Sequence, residues 1–434
     1  MKKIYVTVLF VSVLVIGLSG QSLRETVNLA LENNPAINAQ KESVKSAEYA
    51  AGSVYSGSLP SLSFDASYRY QSEVPELNLS ERIQTPLPIT IPATRIGANH
   101  NYEMGLTAQY ALFTGFAEKS AITISRQKQY LNENNLSKTQ KDIAYNTIMV
   151  YRSIQNLKLS LETVQKARER AILQLNRIKS LTRQGMALAV DTLSLALSKM
   201  SYEHEILRLK AELEKAEQRL ETLAGQYINV ELMEAGNIQG QPAVYNPGGL
   251  EDIKALDIQE KIIRETRNIR YSGYYPRIGV FAGYKYGKPG VDIVNNEWVG
   301  WGVIGASLSW NIFKWGADKK AVKEQEAELN RLTFRKQFME DQAYLNYENA
   351  ARDYEMMREQ LSVIEASVRL AELKMKIIDT RYQEGMETVT VFNDTNLELT
   401  MKELEQKRHL IMMLIKVNEL DYLSGKPLSE WSNL

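Results

Sequence analysis

The sequence predicts a mixed α/β membrane protein made of two tandem repeats, each in the order helix, strand, strand, long helix, helix. Three observations support this fold class: an internal duplication, four alternating segments of about ten residues, and two long stretches almost free of proline and glycine. Residues 111–119 (ALFTGFAEK) return as 311–319 (NIFKWGADK), and 184–186 (QGM) return as 384–386 (EGM). Two copies of an elongated unit that cannot bury its own faces indicate an assembly, not an enzyme with one pocket.

The duplication and the composition along the chain set the expected boundaries. Residues 1–20 are predicted to be a signal peptide, because Lys2 and Lys3 precede the apolar run Ile4 to Ile16 and small residues follow. That run is too short to span a bilayer comfortably. We expect a first repeat at 21–225, a linker rich in Gly, Pro and Asn at 226–249, a second repeat at 250–425 and a tail at 426–434.

Composition excludes several classes of function. The 52 basic residues balance 52 acidic ones, so no basic surplus suggests a nucleic-acid partner. The chain has no cysteine, which excludes disulfides and lipidation. His100, His204 and His409 are isolated, and no metal-ligand spacing, phosphate loop or nucleophile motif is present. We therefore predict no catalytic residue, no metal site, no cofactor and no enzyme activity.

Four segments alternate apolar and polar residues with period two, at 61–71, 102–112, 277–286 and 302–312. Their length suits tilted transmembrane β-strands. Aromatic residues lie towards the segment ends, as in the girdles of membrane barrels: Tyr68, Tyr70, Tyr102, Tyr110, Tyr284, Tyr286 and Trp310. The alternative is an amphipathic sheet in a soluble domain, but the flanking long helices cannot supply the other half of its core. Four strands cannot close a barrel, so the chain predicts its own oligomerisation.

The stretches 116–184 and 316–384 have equal length, and each would extend about 100 Å as one helix at roughly 1.5 Å per residue. Apolar residues recur at spacings of three and four in two places: Leu209, Leu213, Ala216, Leu220 and Leu223, then Ala366, Leu370, Leu373 and Ile377. This pattern predicts lateral coiled-coil packing of long struts, not an ordinary bundle of short helices. Asn34-Pro35 marks the start of a shorter helix before the first strand.

Gly185 and Gly385 are expected to end the long helices as C′ caps, so each repeat folds into a helical hairpin with its turn at the tip. Asp191 follows the first turn, and two interpretations are open for it: a helix N-cap or a functional carboxylate. Asp394 follows the second and reads either as a solvated helix residue or as a functional one. In a symmetric oligomer, one carboxylate at a tapered tip becomes a ring.

These features together resemble the TolC family of outer-membrane efflux proteins over essentially the whole mature chain. The resemblance is carried by the duplication, by Asp191 six residues after Gly185, and by four motifs: Asn34-Pro35, Leu59-Pro60, Leu112-Phe113-Thr114-Gly115-Phe116 and Tyr382-x-x-Gly385. It implies a homotrimer in the bacterial outer membrane, with one 12-stranded β-barrel and a long periplasmic coiled-coil α-barrel.

The resemblance also implies a function. The trimer would be the exit duct of a tripartite efflux or type I secretion system, passively conducting substrate across the periplasm and outer-membrane lipid. An inner-membrane pump (RND, ABC or MFS type) and a periplasmic adaptor would deliver the substrate, with the adaptor docking at the hairpin tips Gly185, Met186, Gly385 and Met386. The alternative is a periplasmic coiled-coil adaptor or structural envelope protein without a channel.

Carried over by position, Asp191 and Tyr382 match family residues whose polar contacts hold the periplasmic entrance closed, and Asp394 matches one of two aspartates that ring the constriction. The chain departs from the family at two positions. Val391 replaces the second aspartate, and Glu387 replaces an arginine of the latch. We expect a weaker carboxylate ring, and repulsion between Glu387 and Asp191 where the family pairs opposite charges.

Overall fold

The computed structural model describes residues 21–77, 94–231, 243–292 and 294–431. Three predicted regions lie outside the described residues: the signal peptide, residues 232–242 of the linker and the last three residues of the tail. The chain divides into two compact units. One contains residues up to 41, 135–253 and 339 onwards, and the other contains 42–134 and 254–338.

The elements of the first half begin with two helices. In order they are α1 (Leu23–Asn33), α2 (Pro35–Ser56), β1 (Ser61–Tyr70), the two-residue strands β2 (Glu76–Leu77) and β3 (Thr94–Arg95), β4 (His100–Phe113), α3 (Ala117–Arg183) and α4 (Ala189–Ala224). Asn34 starts α2 as expected, since its Oδ1 accepts from the Ala36 N–H at 3.0 Å. Helix α1 was not predicted, although Ser22 and Glu25 form a capping box at its start.

The second half repeats the pattern with α5 (Glu251–Tyr271), β5 (Arg277–Lys288), β6 (Val299–Ser309), α6 (Ala317–Gln383) and α7 (Val389–Leu423). Helices α3 and α6 each contain 67 residues. Helices α4 and α7 contain 36 and 35. The predicted helices and strands are therefore present in the predicted order in both repeats. None of the helices in the described ranges combines the length and apolarity needed to cross a membrane.

Four strands form one antiparallel sheet in the order β1-β4-β5-β6. The central pairing joins the two repeats, with Ala108 opposite Ala282. The fourth strand was predicted three residues too late. It ends at Ser309, which pairs with Arg277, because Pro276 precedes Arg277 and has no N–H to continue the ladder. Trp310 therefore lies just beyond β6, where its Nε1 donates to the Tyr274 carbonyl at 3.1 Å.

Among the described residues, the first unit has three clusters of buried apolar side chains. One surrounds Tyr151, whose hydroxyl donates to the Gln21 carbonyl at 2.8 Å, and includes Trp431 from the C-terminal segment. A second packs Tyr354 against Val417 and Leu420. The third lies beside the two hairpin turns and supports the candidate site.

Candidate functional site

The two hairpin turns are built alike. Gly185 has φ 74° and Gly385 has φ 76°, the left-handed conformation that glycine adopts most readily. The Met186 N–H donates to the Leu181 carbonyl at 2.9 Å, and the Met386 N–H donates to the Arg381 carbonyl at 2.8 Å. Together with the bonds from the two glycine N–H groups, this is a Schellman motif in each repeat. Both methionine side chains are exposed at the turns.

The helices that follow the turns start differently. Thr388 caps α7, since its side chain accepts from the Val391 N–H at 3.3 Å. Leu188 occupies the N-cap of α4 and makes no side-chain cap bond. The N-cap interpretation of Asp191 is therefore wrong, because this residue lies inside the first turn of α4. A carboxylate there still interacts favourably with the positive end of the helix dipole.

Four helices meet in an apolar cluster next to the turns. Its buried members come from α3, α4, α6 and α7: Leu175, Ile178, Leu195, Ala371, Met375, Val389, Phe392 and Leu399. Tyr382, from the last turn of α6, packs against this cluster and stacks on Phe392 with ring centroids 5.0 Å apart. The cluster fixes the Tyr382 ring in place, so both hairpins contribute to the position of this residue.

The Tyr382 hydroxyl is buried and has no hydrogen-bond partner within the described part of the chain. The pKa of Tyr382 is raised to about 12, mainly by burial and in smaller part by the negative charge of Asp191, while the positive charge of Arg177 opposes the shift. The charge of Asp191 thus acts on the Tyr382 hydroxyl, but the structure shows no hydrogen bond between the two side chains.

Glu387 has a partner that the sequence did not reveal. Its carboxylate lies 3.3 Å from the guanidinium of Arg381, on the other side of the turn. The expected repulsion between Glu387 and Asp191 is therefore offset by a positive charge from the same hairpin. A second overlooked arginine, Arg177 of α3, donates from Nη2 to the Gln383 carbonyl at 2.9 Å and joins the two hairpins.

A polar network links the hairpins further along the helices. Arg170 of α3 donates from Nε to Asn396 Oδ1 at 2.6 Å and from Nη2 to Thr400 Oγ1 at 3.1 Å, both on α7. Asn396 and Thr400 are almost fully buried. Asn396 also donates to the Tyr202 hydroxyl of α4 at 3.4 Å. No sequence pattern predicts this network, because its members are separated by up to 230 residues along the chain.

Asp394 stands apart from the other predicted gate residues. Its side chain is exposed on α7, and the described part of the chain contains no hydrogen bond or ion pair to it. This carboxylate is therefore accessible to solvent.

The sheet carries two groups of aromatic side chains, one at each end. Tyr68, Tyr102 and Trp298 form a chain of contacts at the first end, with ring centroids 5.0 and 5.8 Å apart. Tyr70 and Tyr286 join it through His100 and Trp298. Near the opposite end, Phe113, Phe116 and Tyr275 pack edge to face.

The aromatic residues predicted to form a girdle lie in two groups, but not all of them are at strand ends as predicted. Tyr110, opposite Val280, and Trp310 lie towards the second end, whereas Tyr284, opposite Leu106, lies nearer the middle. Trp298 was overlooked because it precedes the alternating segment.

One family model and several solved structures match this chain. A sequence model described as "Outer membrane efflux protein" matches residues 26–226 and 251–426. No curated protein sequence gives a significant match.

Among solved structures, CusC matches with TM-score 0.78 and 14% identity, covering 93% of this chain and 92% of that one. VceC of Vibrio cholerae matches with TM-score 0.71 and 18% identity, covering 92% and 94%. CmeC of Campylobacter jejuni matches with TM-score 0.76 and 15% identity, covering 95% and 87%. VceC is described as an outer membrane protein and CmeC as an outer membrane channel. At these identities the likeness shows a shared fold.

Proposed function

Since the chain belongs to the outer membrane efflux protein family, it is an outer-membrane exit duct for efflux, and we propose how its parts serve that role. Three copies assemble into one channel, to which each contributes four strands. An inner-membrane pump and a periplasmic adaptor deliver substrate to the helical hairpins, and the trimer conducts it passively outwards. Each protomer consists of two repeats, at 21–225 and 250–425, joined by the segment 226–249.

The main support for the proposed trimer comes from the two edges of the four-stranded sheet. Among the described residues, strands β1 and β6 each have a neighbouring strand on one side only. Unpaired N–H and C=O groups cannot remain in a bilayer, where no water is available to satisfy them. Pairing β6 of one copy with β1 of the next satisfies both edges, and three copies give 3 × 4 strands in a closed barrel.

The faces and ends of the sheet support a membrane location. Leu62, Phe64 and Ile304 stand exposed on one face. The opposite face carries the ion pair between Lys285 and Glu103. Tyr102 and Phe113, at the two aromatic ends, are 11 residues apart, or about 36 Å along a strand at roughly 3.3 Å per residue. A tilt of about 40° reduces this to about 28 Å, close to the apolar band of a membrane barrel.

We place the periplasmic entrance at the hairpin turns. Asp191, Tyr382 and Glu387 lie around the turns and hold them closed, while Asp394 supplies one carboxylate per protomer to a ring. The exposed tips Gly185, Met186, Gly385 and Met386 are the docking points for the adaptor. Because the two turns share their backbone geometry, a trimer would offer an adaptor six similar tips.

Single-channel conductance in a planar bilayer tests this function. The protein is purified in detergent as a Met186→Cys, Met386→Cys double variant in its cysteine-free background. We expect small steps in the reduced state, and their loss when a bifunctional thiol reagent joins the two turns. Each single variant, treated with the same reagent, is the matched control and should keep conducting.

A folded trimer that never conducts, even after mild unfolding of the tips with urea, would argue against a duct and for a structural stalk. Conductance that persists in the cross-linked double variant would place the gate elsewhere in the chain.

A further inference from the structure

The face of the sheet that carries the Lys285–Glu103 pair differs from strand to strand. In the proposed trimer this face lines the bore of the barrel, because the opposite face contacts lipid. On β1 and β4 the residues of this face are polar apart from one glycine: Ser61, Ser63, Asp65, Ser67, Arg69, Asn101, Glu103, Gly105, Thr107 and Gln109. Polar side chains are the usual lining of a water-filled barrel.

Strands β5 and β6 carry apolar side chains on the same face. They are Phe281, Trp301 and Val303, which we call the lumen strip. Phe281 is 36% exposed and Val303 is 38% exposed in the protomer. Trp301 is half-buried and lies opposite Lys285. A contiguous apolar patch on a surface that is otherwise polar indicates a binding site.

Glycines on the same face determine how the two rings of the strip lie. A Cβ atom at Gly305 of β6 would be 2.5 Å from Cζ of Phe281 on β5. A Cβ atom at Gly287 of β5 would be 3.3 Å from Cη2 of Trp301 on β6. Each ring therefore leans across to the neighbouring strand and covers its backbone. A ring held along the wall offers its surface to a passing molecule without closing the bore.

The strip runs along the strands, which is the direction of transport through a barrel. Trp301 is four residues from Gly305, the position that the Phe281 ring covers, or about 13 Å at roughly 3.3 Å per residue. Val303 lies between them, opposite Gly283, which has no side chain to cover it. A substrate that leaves through the duct passes this part of the wall, so the strip is continuous with the proposed conduction path.

A hollow of about 510 Å³ adjoins the strip at Phe281. Gly279 contributes to the space, because it has no side chain between Arg277 and Phe281 on this face. Polar side chains line the other walls: Ser61, Thr107, Gln109, Glu118 and Ser307. Concave sites with an apolar wall and a few polar groups are typical of small-molecule binding. The hollow therefore offers hydrogen bonds beside a surface for stacking.

We propose that the lumen strip is a transit site for planar aromatic solutes, which stack on Phe281 and Trp301 as they leave through the barrel. The site rests on the proposed trimeric duct, in which three strips surround one bore. Stacking adds to the free energy gained by burying apolar area, and a compact aliphatic solute lacks this term. A stable protein interface buries about 800 Å² on each partner, which three partly covered side chains do not provide. A small solute is therefore the occupant that fits.

Single-channel current in potassium chloride measures the binding. Proflavine, a planar aromatic cation, is added on both sides of the bilayer, and tetraethylammonium, a cation of equal charge without a ring, is the control solute. All proteins carry Asp394→Asn, which removes the carboxylates that would hold a cation at the entrance. We expect the Phe281→Ser, Trp301→Ser double variant to need about tenfold more proflavine, or more, to halve the current. Its response to tetraethylammonium should not change.

Two further variants make the test specific to the stacking surface. Tyr284→Ser is the matched control, because it removes a ring of the same strand from the face that contacts lipid, and it should bind proflavine normally. The Phe281→Leu, Trp301→Leu double variant keeps an apolar cover over the glycines but has no aromatic ring in the strip. It should weaken proflavine binding by roughly threefold or more, and it provides the test if the serine variant does not fold.

Three results would overturn the transit site while leaving the duct intact. The first is equal proflavine binding with and without the rings of the strip, in channels that still conduct potassium chloride. The second is the same loss of binding in Tyr284→Ser. The third is a larger current in the strip variants with unchanged proflavine binding, which would mean that another part of the chain covers the strip. Loss of conductance in the unmodified protein would instead refute the proposed function.

Discussion

At the scale of single residues, the Tyr382 hydroxyl tests how far family roles transfer to this chain. It is buried without a hydrogen-bond partner in the described residues, while its ring stacks on Phe392. Removing an unpaired buried hydroxyl is nearly neutral or stabilising. We therefore expect Tyr382→Phe to change the free energy of unfolding by less than about 1 kcal/mol. Tyr382→Ala should lower it by about 2 kcal/mol or more through lost packing.

Denaturant unfolding of the detergent-solubilised protein measures both changes. If Tyr382→Phe alone destabilised the protein or opened the channel, the hydroxyl would have to find its partner in a neighbouring protomer.

The same hydroxyl predicts an alkaline response. The pKa of Tyr382 is raised to about 12 in the folded protein, against 10.0 for a free tyrosine. Between these values the unfolded chain loses its proton and the folded one keeps it, so stability from this group is complete below pH 10 and declines as the pH rises towards 12. We expect channel opening to increase over this window and the increase to be smaller in Tyr382→Phe. An identical pH profile for the two proteins would contradict this.

Asp394 belongs to the same scale, because its carboxylate is exposed and makes no ion pair within the described residues. Val391 supplies no second charge one turn earlier. We expect Asp394→Asn to reduce the preference for cations, measured as the reversal potential in a potassium chloride gradient. Asp394→Glu, which keeps the charge, is the control. Unchanged selectivity in Asp394→Asn would remove this residue from the constriction.

At the scale of helices and strands, side-chain contacts hold the two hairpins together, and a single substitution can remove them. Arg170 of α3 binds the buried groups of Asn396 and Thr400 on α7. Replacing it by Leu removes the donors to Asn396 Oδ1 and Thr400 Oγ1, at a cost of about 1–3 kcal/mol. Two residues earlier, Arg168 pairs with Glu203 inside its own hairpin, and both are more than a third exposed. Arg168→Leu should cost less than about 1 kcal/mol.

Conductance and thermal unfolding compare the two arginine variants. Arg170→Leu should give the larger loss of stability and the more frequent opening. Equal effects would show that the network between the hairpins contributes nothing beyond an ordinary surface pair.

Neighbouring residues of β6 give an equally sharp test of the membrane face. Ile304 is 86% exposed at the middle of the strand, on the same face as Tyr284, and Val303 points the other way. Arginine at the bilayer midplane costs about 2–4 kcal/mol on the lipid face of a barrel. Ile304→Arg should therefore reduce outer-membrane insertion, whereas Val303→Arg should insert normally and alter conductance. The opposite pattern would show that the face of Val303, and not that of Ile304, contacts lipid.

Elements were easier to predict than contacts. Period-two alternation located the four strands, and the absence of proline and glycine located the long helices, because backbone geometry imprints both patterns locally. Pro276 determines where the pairing of β6 ends, whereas alternation alone extended this strand through Trp310. The partner of Glu387 depends on how a turn brings Arg381 back, and the partner of Arg170 depends on packing between helices. Neither is encoded in spacing. The seam through Leu370, Leu373 and Ile377 was visible, but the sequence does not say which helix covers it.

At the scale of the whole molecule, the open edges of the sheet predict an unusually resistant oligomer. Hydrogen bonds between strands in lipid do not exchange with water, so dissociation must break a whole strand pairing at once. We expect a band at roughly three times the 49.3 kDa chain mass in unheated dodecyl sulfate electrophoresis, and a single protomer band after boiling. A soluble adaptor would run as a protomer under both conditions, and that result would contradict the barrel.

The equal length of α3 and α6 has a consequence for how such a protein can evolve. Each inserted residue turns a helix by about 100° and lengthens it by about 1.5 Å, so a lone insertion would rotate the apolar face of one helix away from its partner and leave the two turns at unequal heights. Only insertions of about seven or eleven residues restore the facing side, and they must occur in both repeats. The reach of the tunnel is therefore inherited in matched steps, which ties its evolution to the width of the periplasm in increments of roughly 10 to 16 Å.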